Sequence, residues 1–326
     1  MELRIILNGT TTNNALHEWQ STLLNLYDAK SWLKLCSIVF TLCFINYISS
    51  ILVLTYLKVH TFHEIPRYIL FIHMIINDTI QLSIVLLLHV LTNFLVMVFP
   101  LLCFLIITIA SITSVNTLWN VAVMAVERFL AICYPLRHSA LCTVRRSYIA
   151  IAGIWCISII PGISDLFVVV AIETESYFHV PIYCSREMMI RSPYQEVRRI
   201  SITAMYGCAV WLIVIYTYVR IVLVARAATS GRSLIMKARN TVLLHVSHLA
   251  LAMVAFMTPV IESIIKILFP NYFSDLRYVN LYICFVIPRF ISPLIYGIRD
   301  QHFRKHLKHQ FLCRSMQMDA DERIAH

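Results

Sequence analysis

Two opposite charges stand inside stretches of sequence that otherwise exclude charge. Asp78 lies in an apolar run from about Pro66 to Leu91, and Arg289 lies in the last apolar run, which ends near Ile298. At the centre of a membrane-spanning helix each would cost roughly 2.5–3.5 kcal/mol, so each must be paired or functional. Asp78 is 12 residues from Pro66 and Arg289 is 9 from Ile298. At 1.5 Å per residue those depths are roughly 18 and 14 Å, one layer of a bilayer. A third charged spot, Glu127-Arg128, closes the apolar run that begins near Pro100. Taken alone, that pair reads as an interfacial anchor whose side chains snorkel to headgroups. Nothing here points to catalysis: the intramembrane acids and histidines are isolated, with no nucleophile–base pair. The ten cysteines show no CxxC and no Cys/His metal spacing. No enzyme activity and no cofactor are expected.

The elements that position these charges follow from composition. The chain is 59% hydrophobic and 13% charged, with a mean hydropathy of +0.75. A soluble domain carries about 25% charged residues, so this is a membrane protein. The net charge of +10 is interleaved between apolar runs, which suits loops facing anionic membrane lipid and excludes a nucleic-acid groove. Seven apolar runs are expected to be helices, the first five at about Trp32–Leu57, Pro66–Leu91, Pro100 to Arg128, Tyr148–Ala171 and Arg199–Val224. The polar segment 172–197 reads as a loop. Basic residues follow the first, third and fifth runs, which places the N-terminus outside the plasma membrane. Asn8-Gly9-Thr10 is then a glycosylation sequon on an outer tail, whereas Asn77-Asp78-Thr79 is sealed in an apolar run. Phe303, Leu307 and Phe311 recur among basic residues as an amphipathic helix on the inner leaflet. Cys313 behind it is a palmitoylation candidate or a plain thiol. The expected organisation is a tail (1–31), a seven-helix membrane domain (32–299), and an amphipathic helix with its tail (300–326).

Longer strings carry a resemblance. Met124, Ala125, Arg128, Ala131, Ile132, Cys133, Pro135 and Leu136 match the third-helix signature of odorant receptors, a branch of the rhodopsin-like G-protein-coupled receptors. Lys237, Ala238, Thr241 and His245 resemble the motif that opens the sixth helix in that branch, and Thr217-Tyr218 resembles its Ser-Tyr pair. Pro288 to Tyr296 resembles the seventh-helix motif, with Arg289 and Ser292 replacing a proline and an asparagine. Trp155 matches a general rhodopsin-like tryptophan, while the sixth helix has Ala252-Met253-Val254-Ala255 where relatives keep Cys-Trp-x-Pro. The variants Val-Glu-Arg-Phe and Ser-Pro-Leu-Ile-Tyr resemble teleost-type members most.

The resemblance implies an all-α membrane protein: a seven-transmembrane helix bundle with a short amphipathic C-terminal helix. It implies a disulfide between Cys103 and Cys184, for which an outside location favours oxidation; the alternative is two free thiols. It assigns ligand contacts to Ile107, Ala110, Ser111, Ser114, Ile202, Tyr206, Phe256, Met257, Val260, Tyr278 and Tyr282. Ala110 stands where amine receptors carry an aspartate, which argues against an amine ligand held by that pair. Glu127, Arg128, Tyr218, Lys237, His245 and Tyr296 become the coupling and switch residues. The second and seventh helices become neighbours, so Asp78 and Arg289 are expected to pair where many relatives bind sodium. If they do not, Arg289 snorkels and Asp78 is hydrated beside Asn46 and Ser292. The implied function is binding a small odorant and activating a stimulatory, cAMP-raising G protein. A peptide or lipid receptor outside olfaction is the alternative. A transporter would show an internal repeat with broken helices, and none is found.

Overall fold

The computed structural model describes residues 29–93, 97–184, 190, 192–227, 250, 253–254, 257–258 and 260–291. Five helices among these are long and apolar enough to cross a membrane. The first is Ala29–Lys58 and the second Pro66–Asn93. The third is Pro100–Cys133, followed by a short connecting helix at Pro135–Leu141. The fourth is Val144–Ile172 and the fifth Pro193–Ala227. Helical residues 260–268 belong to the sixth. The seventh is Phe273–Asn280, a looser π-helical stretch at Leu281–Val286, and helix again to 291.

The third helix is the axis of the bundle. Proline at its first position has a pre-set φ and no N–H to leave unsatisfied. Its 34 residues span roughly 51 Å at 1.5 Å per residue, well beyond a hydrocarbon core of about 30 Å. It packs against the second, fourth and fifth helices. Leu118, Val121, Ala122 and Ala125 interlock with Val210 and Val214 of the fifth helix and Met253. Gly162 of the fourth helix allows close approach: a Cβ there would sit 2.9 Å from Ile112 Cγ1. Leu33, Phe40, Phe167 and Leu212 point outward, as side chains facing lipid should.

The fifth helix begins six residues before the Arg199 expected from hydropathy. Its start is a capping box. Gln195 N donates to Ser192 Oγ (3.3 Å) and Ser192 N donates to Gln195 Oε1 (3.2 Å), so two end donors are satisfied reciprocally. Pro193 holds the first position and Glu196 the first turn, where a carboxylate suits the helix dipole. The segment expected to be all loop also yields a short strand, Ile182–Tyr183. It pairs antiparallel with Met97–Val98, Met97 opposite Tyr183 and Val98 opposite Ile182. The first, second and fourth helices differ from expectation by a few residues at their ends, and the third runs five residues past Arg128 to Cys133. Phe256, Lys237, His245, Tyr296, Asn8 and Cys313 lie outside the described residues.

Candidate functional site

One end of the bundle is closed by the Cys103–Cys184 disulfide, whose Cα atoms are 5.4 Å apart. Both cysteines are fully buried among Phe104, Ile107 and Val169. Beside this clamp a cleft of about 30 Å³ opens between the third, fourth and fifth helices. Ile107, Thr108, Ser111, Gly162, Asp165, Ile190, Gln195 and Arg199 line it. Of the ligand contacts expected from sequence, Ile107 and Ser111 stand in this lining. Ala110 is half-buried and offers its carbonyl to the hydroxyl of Ser114 (2.8 Å). Ile202 is half-buried on the fifth helix. Tyr206 meets Trp119 edge-on, with ring centroids 5.7 Å apart, and donates to the Ile157 carbonyl at 3.5 Å. Met257 and Val260 are exposed.

Tyr278 and Tyr282 were expected beside this cleft, but their hydroxyls turn to the first helix. Tyr278 bonds Ser37, and Tyr282 lies 3.1 Å from Thr41 Oγ1. Lys34 donates to Asp275 at 2.6 Å and sits 5.6 Å over the Tyr278 ring. The seventh helix is therefore laced to the first at the disulfide end. Glu262 is paired with Arg277 at 3.7 Å.

Mid-bundle, Arg289 Nε stands 3.6 Å from Asp78 Oδ1, with both side chains less than a tenth exposed. A hydrogen-bond chain surrounds them. Asn77 Nδ2 donates to Thr117 Oγ1 (2.8 Å) and to the Thr113 carbonyl (3.0 Å). Thr117 Oγ1 donates to Asp78 Oδ1 at 2.8 Å. Arg289 Nη2 donates to Gln81 Oε1, and Gln81 Nε2 donates to Ser114 Oγ. The guanidinium also lies 3.8 Å over the centroid of Phe285, a cation–π contact strengthened by desolvation. Second, third and seventh helices are thus tied through one buried cluster. Asn46, in turn, donates to the Leu42 carbonyl at 2.7 Å and to Ser83 Oγ at 3.4 Å. Ser114, expected at the ligand, is instead a terminus of the Arg289–Gln81 chain.

At the far end of the third helix, Glu127 is buried between an arginine and a histidine. Its Oε2 lies 3.2 Å from Arg128 Nε and its Oε1 3.4 Å from His138 Nε2. His138, on the connecting helix, reads from sequence only as part of a basic loop. Burial pushes the nearby Cys142 thiol up, and the Glu127 carboxylate adds to the shift while Arg146 opposes it. Tyr218 is half-buried on the fifth helix. Two residues earlier, Tyr216 meets Phe129 with ring centroids 5.9 Å apart. Trp155 of the fourth helix donates to His73 Nε2 of the second at 3.0 Å.

A clamped cleft at one end, a buried acid–base pair at the other, and a polar chain between them form a receptor's layout. Residues 49–296 match the 7 transmembrane receptor (rhodopsin family). The chain belongs to the rhodopsin family of seven-transmembrane receptors. This is a family of receptors, not of enzymes. The chain is similar to zebrafish "Odorant receptor 131-2", with 26% identity over 82% of each chain. It is also similar to human "Olfactory receptor 10P1", 25% identical over 57% of this chain and 59% of that one. Rat "Olfactory receptor 1073" is 23% identical over 57% and 60%.

Thr108, Gly162, Asp165, Ile190 and Gln195 of the cleft lining were not anticipated from sequence. The Ser192-Pro-Tyr-Gln195 capping signature was available to place Gln195 on a helix. No local pattern places Thr108 or Asp165 at the cleft.

Proposed function

We propose that this receptor detects a small odorant-type molecule and activates a stimulatory, cAMP-raising G protein. The observation that carries the reading is the similarity to an odorant receptor across 82% of both chains. In this reading the protein sits in the plasma membrane with its N-terminus and the disulfide end outside. The ligand enters the cleft at Ile107 and Ser111, and the second outer loop is held over it by the Cys103–Cys184 bond. Binding shifts a two-state equilibrium, which a ligand can do only by its difference in affinity between the states. Glu127 restrains Arg128 at rest. On activation Arg128 is released toward Tyr218 and the G protein, with Lys237, His245 and Tyr296 completing the inner switch.

A cAMP reporter in transfected cells, screened against an odorant panel, tests the reading. A ligand-dependent rise is expected, and Arg128→Ala should abolish it at unchanged surface level. A response that survives this change would reduce Arg128 to an anchor. A panel that raises only other second messengers would overturn the stimulatory coupling.

A further inference from the structure

The cleft beside the disulfide carries an unbalanced charge. Asp165 of the fourth helix is taken by Arg198, whose Nη2 donates to its carboxylate. That leaves the lining with the guanidinium of Arg199, which forms no ion pair among the described residues. Arg199 is half-buried and lies six residues into the fifth helix from Pro193, roughly 9 Å at 1.5 Å per residue. A second observation points into the same space. Thr108, 5% exposed, lines the cleft with a hydroxyl that has no hydrogen-bond partner. A buried hydroxyl left unmade costs about 1–3 kcal/mol, so a ligand acceptor there is strongly rewarded.

We infer that Arg199 and Thr108 hold the carboxylate of a small acidic ligand. This deepens the odorant-receptor reading and rests on it. A guanidinium presents a rigid fork of donors that matches two carboxylate oxygens, and the Thr108 hydroxyl can supply a further donor. An amine would meet Asp165 only by displacing Arg198, and would face Arg199 as a like charge. Size limits the occupant as well. A cleft of about 30 Å³ has room for about two waters, since one needs roughly 10–15 Å³ on that measure. That is the footprint of a carboxylate, so the alkyl chain of a bound acid extends beyond the cleft.

The test uses the purified receptor in lipid nanodiscs, with butyrate, methyl butyrate and butylamine compared by saturation-transfer difference NMR. Butyrate should bind in preference to its ester and to the amine. Arg199→Gln should weaken butyrate roughly ten- to hundredfold, the range for losing a hydrogen bond to a charged group. Arg199→Lys should lose less, and Arg199→Glu should favour butylamine. A thermal melt of each variant separates lost binding from lost fold. Equal binding of acid and ester to the wild-type protein would overturn the assignment without any variant, as would absence of butyrate binding. Activation in cells by neutral odorants alone overturns the acid site and leaves the receptor reading standing. Butyrate binding without any G-protein activation does the reverse.

Discussion

Two of the acid–guanidinium pairs that join membrane helices, Asp78–Arg289 and Asp165–Arg198, are built differently. Asp78 and Arg289 are each less than a tenth exposed and enclosed by Gln81, Thr117 and Phe285. Asp165 and Arg198 are each about a fifth exposed and have a second arginine beside them in an open cleft. The first site balances its charge within the protein. The second carries, among the described residues, one cation without an acidic partner. Burial with balance builds a structural joint between helices, whereas partial burial with surplus invites a ligand.

Breaking the sealed site should cost most. Asp78→Asn or Arg289→Leu each leaves one uncompensated charge in low dielectric, a loss of roughly 3–5 kcal/mol. The double change should be more stable than either single one in a detergent melting series. If its loss is merely the sum of the two, the residues are not a pair. With the Arg289 guanidinium already beside the Asp78 carboxylate, replacing sodium by potassium should leave signalling unchanged. Next in size is the disulfide: Cys103→Ser or Cys184→Ser should cost roughly 2–5 kcal/mol. Normal surface level and response in both single variants would show that the clamp is dispensable.

At the open site, Asp165→Asn should cost only roughly 1–2 kcal/mol, because water screens a fifth-exposed pair. It should also tighten acid binding by freeing a second cation. Stability loss equal to that of Asp78→Asn would erase the distinction between the two sites. The smallest effect is expected for Lys34→Met. Its partner Asp275 is 41% exposed, so about 0.2–1 kcal/mol is at stake in a melting measurement.

The sequence allowed the strong constraints to be read and missed the rotational ones. Hydropathy located the membrane helices, and depth counting put Asp78 and Arg289 in one layer, because both follow from rise per residue alone. The cleft residues Thr108 and Asp165 were invisible because a helix that is apolar on every side gives no periodic sign of its inward face. The hydroxyls of Tyr278 and Tyr282 face the first helix for a related reason. The turn at Leu281–Val286 is π-helical, so positions transferred by ordinary helical spacing drift around the axis. Arg198 and Arg199 look alike in sequence. Adjacent residues point in different directions on a helix, and only the fold reveals which one Asp165 reaches.

The Asp78–Arg289 joint also has a history within each molecule's synthesis. The two residues are 289 − 78 = 211 positions apart. At roughly 5–20 residues per second, about 10–40 s separate their emergence from the ribosome. Thr117 arrives after only 39 residues and can donate to the carboxylate long before the guanidinium exists. Until the seventh helix is made, the second must be held in the insertion machinery or in lipid with an uncompensated acid. The pair at the centre of the bundle can therefore close only once the last membrane helix has been delivered.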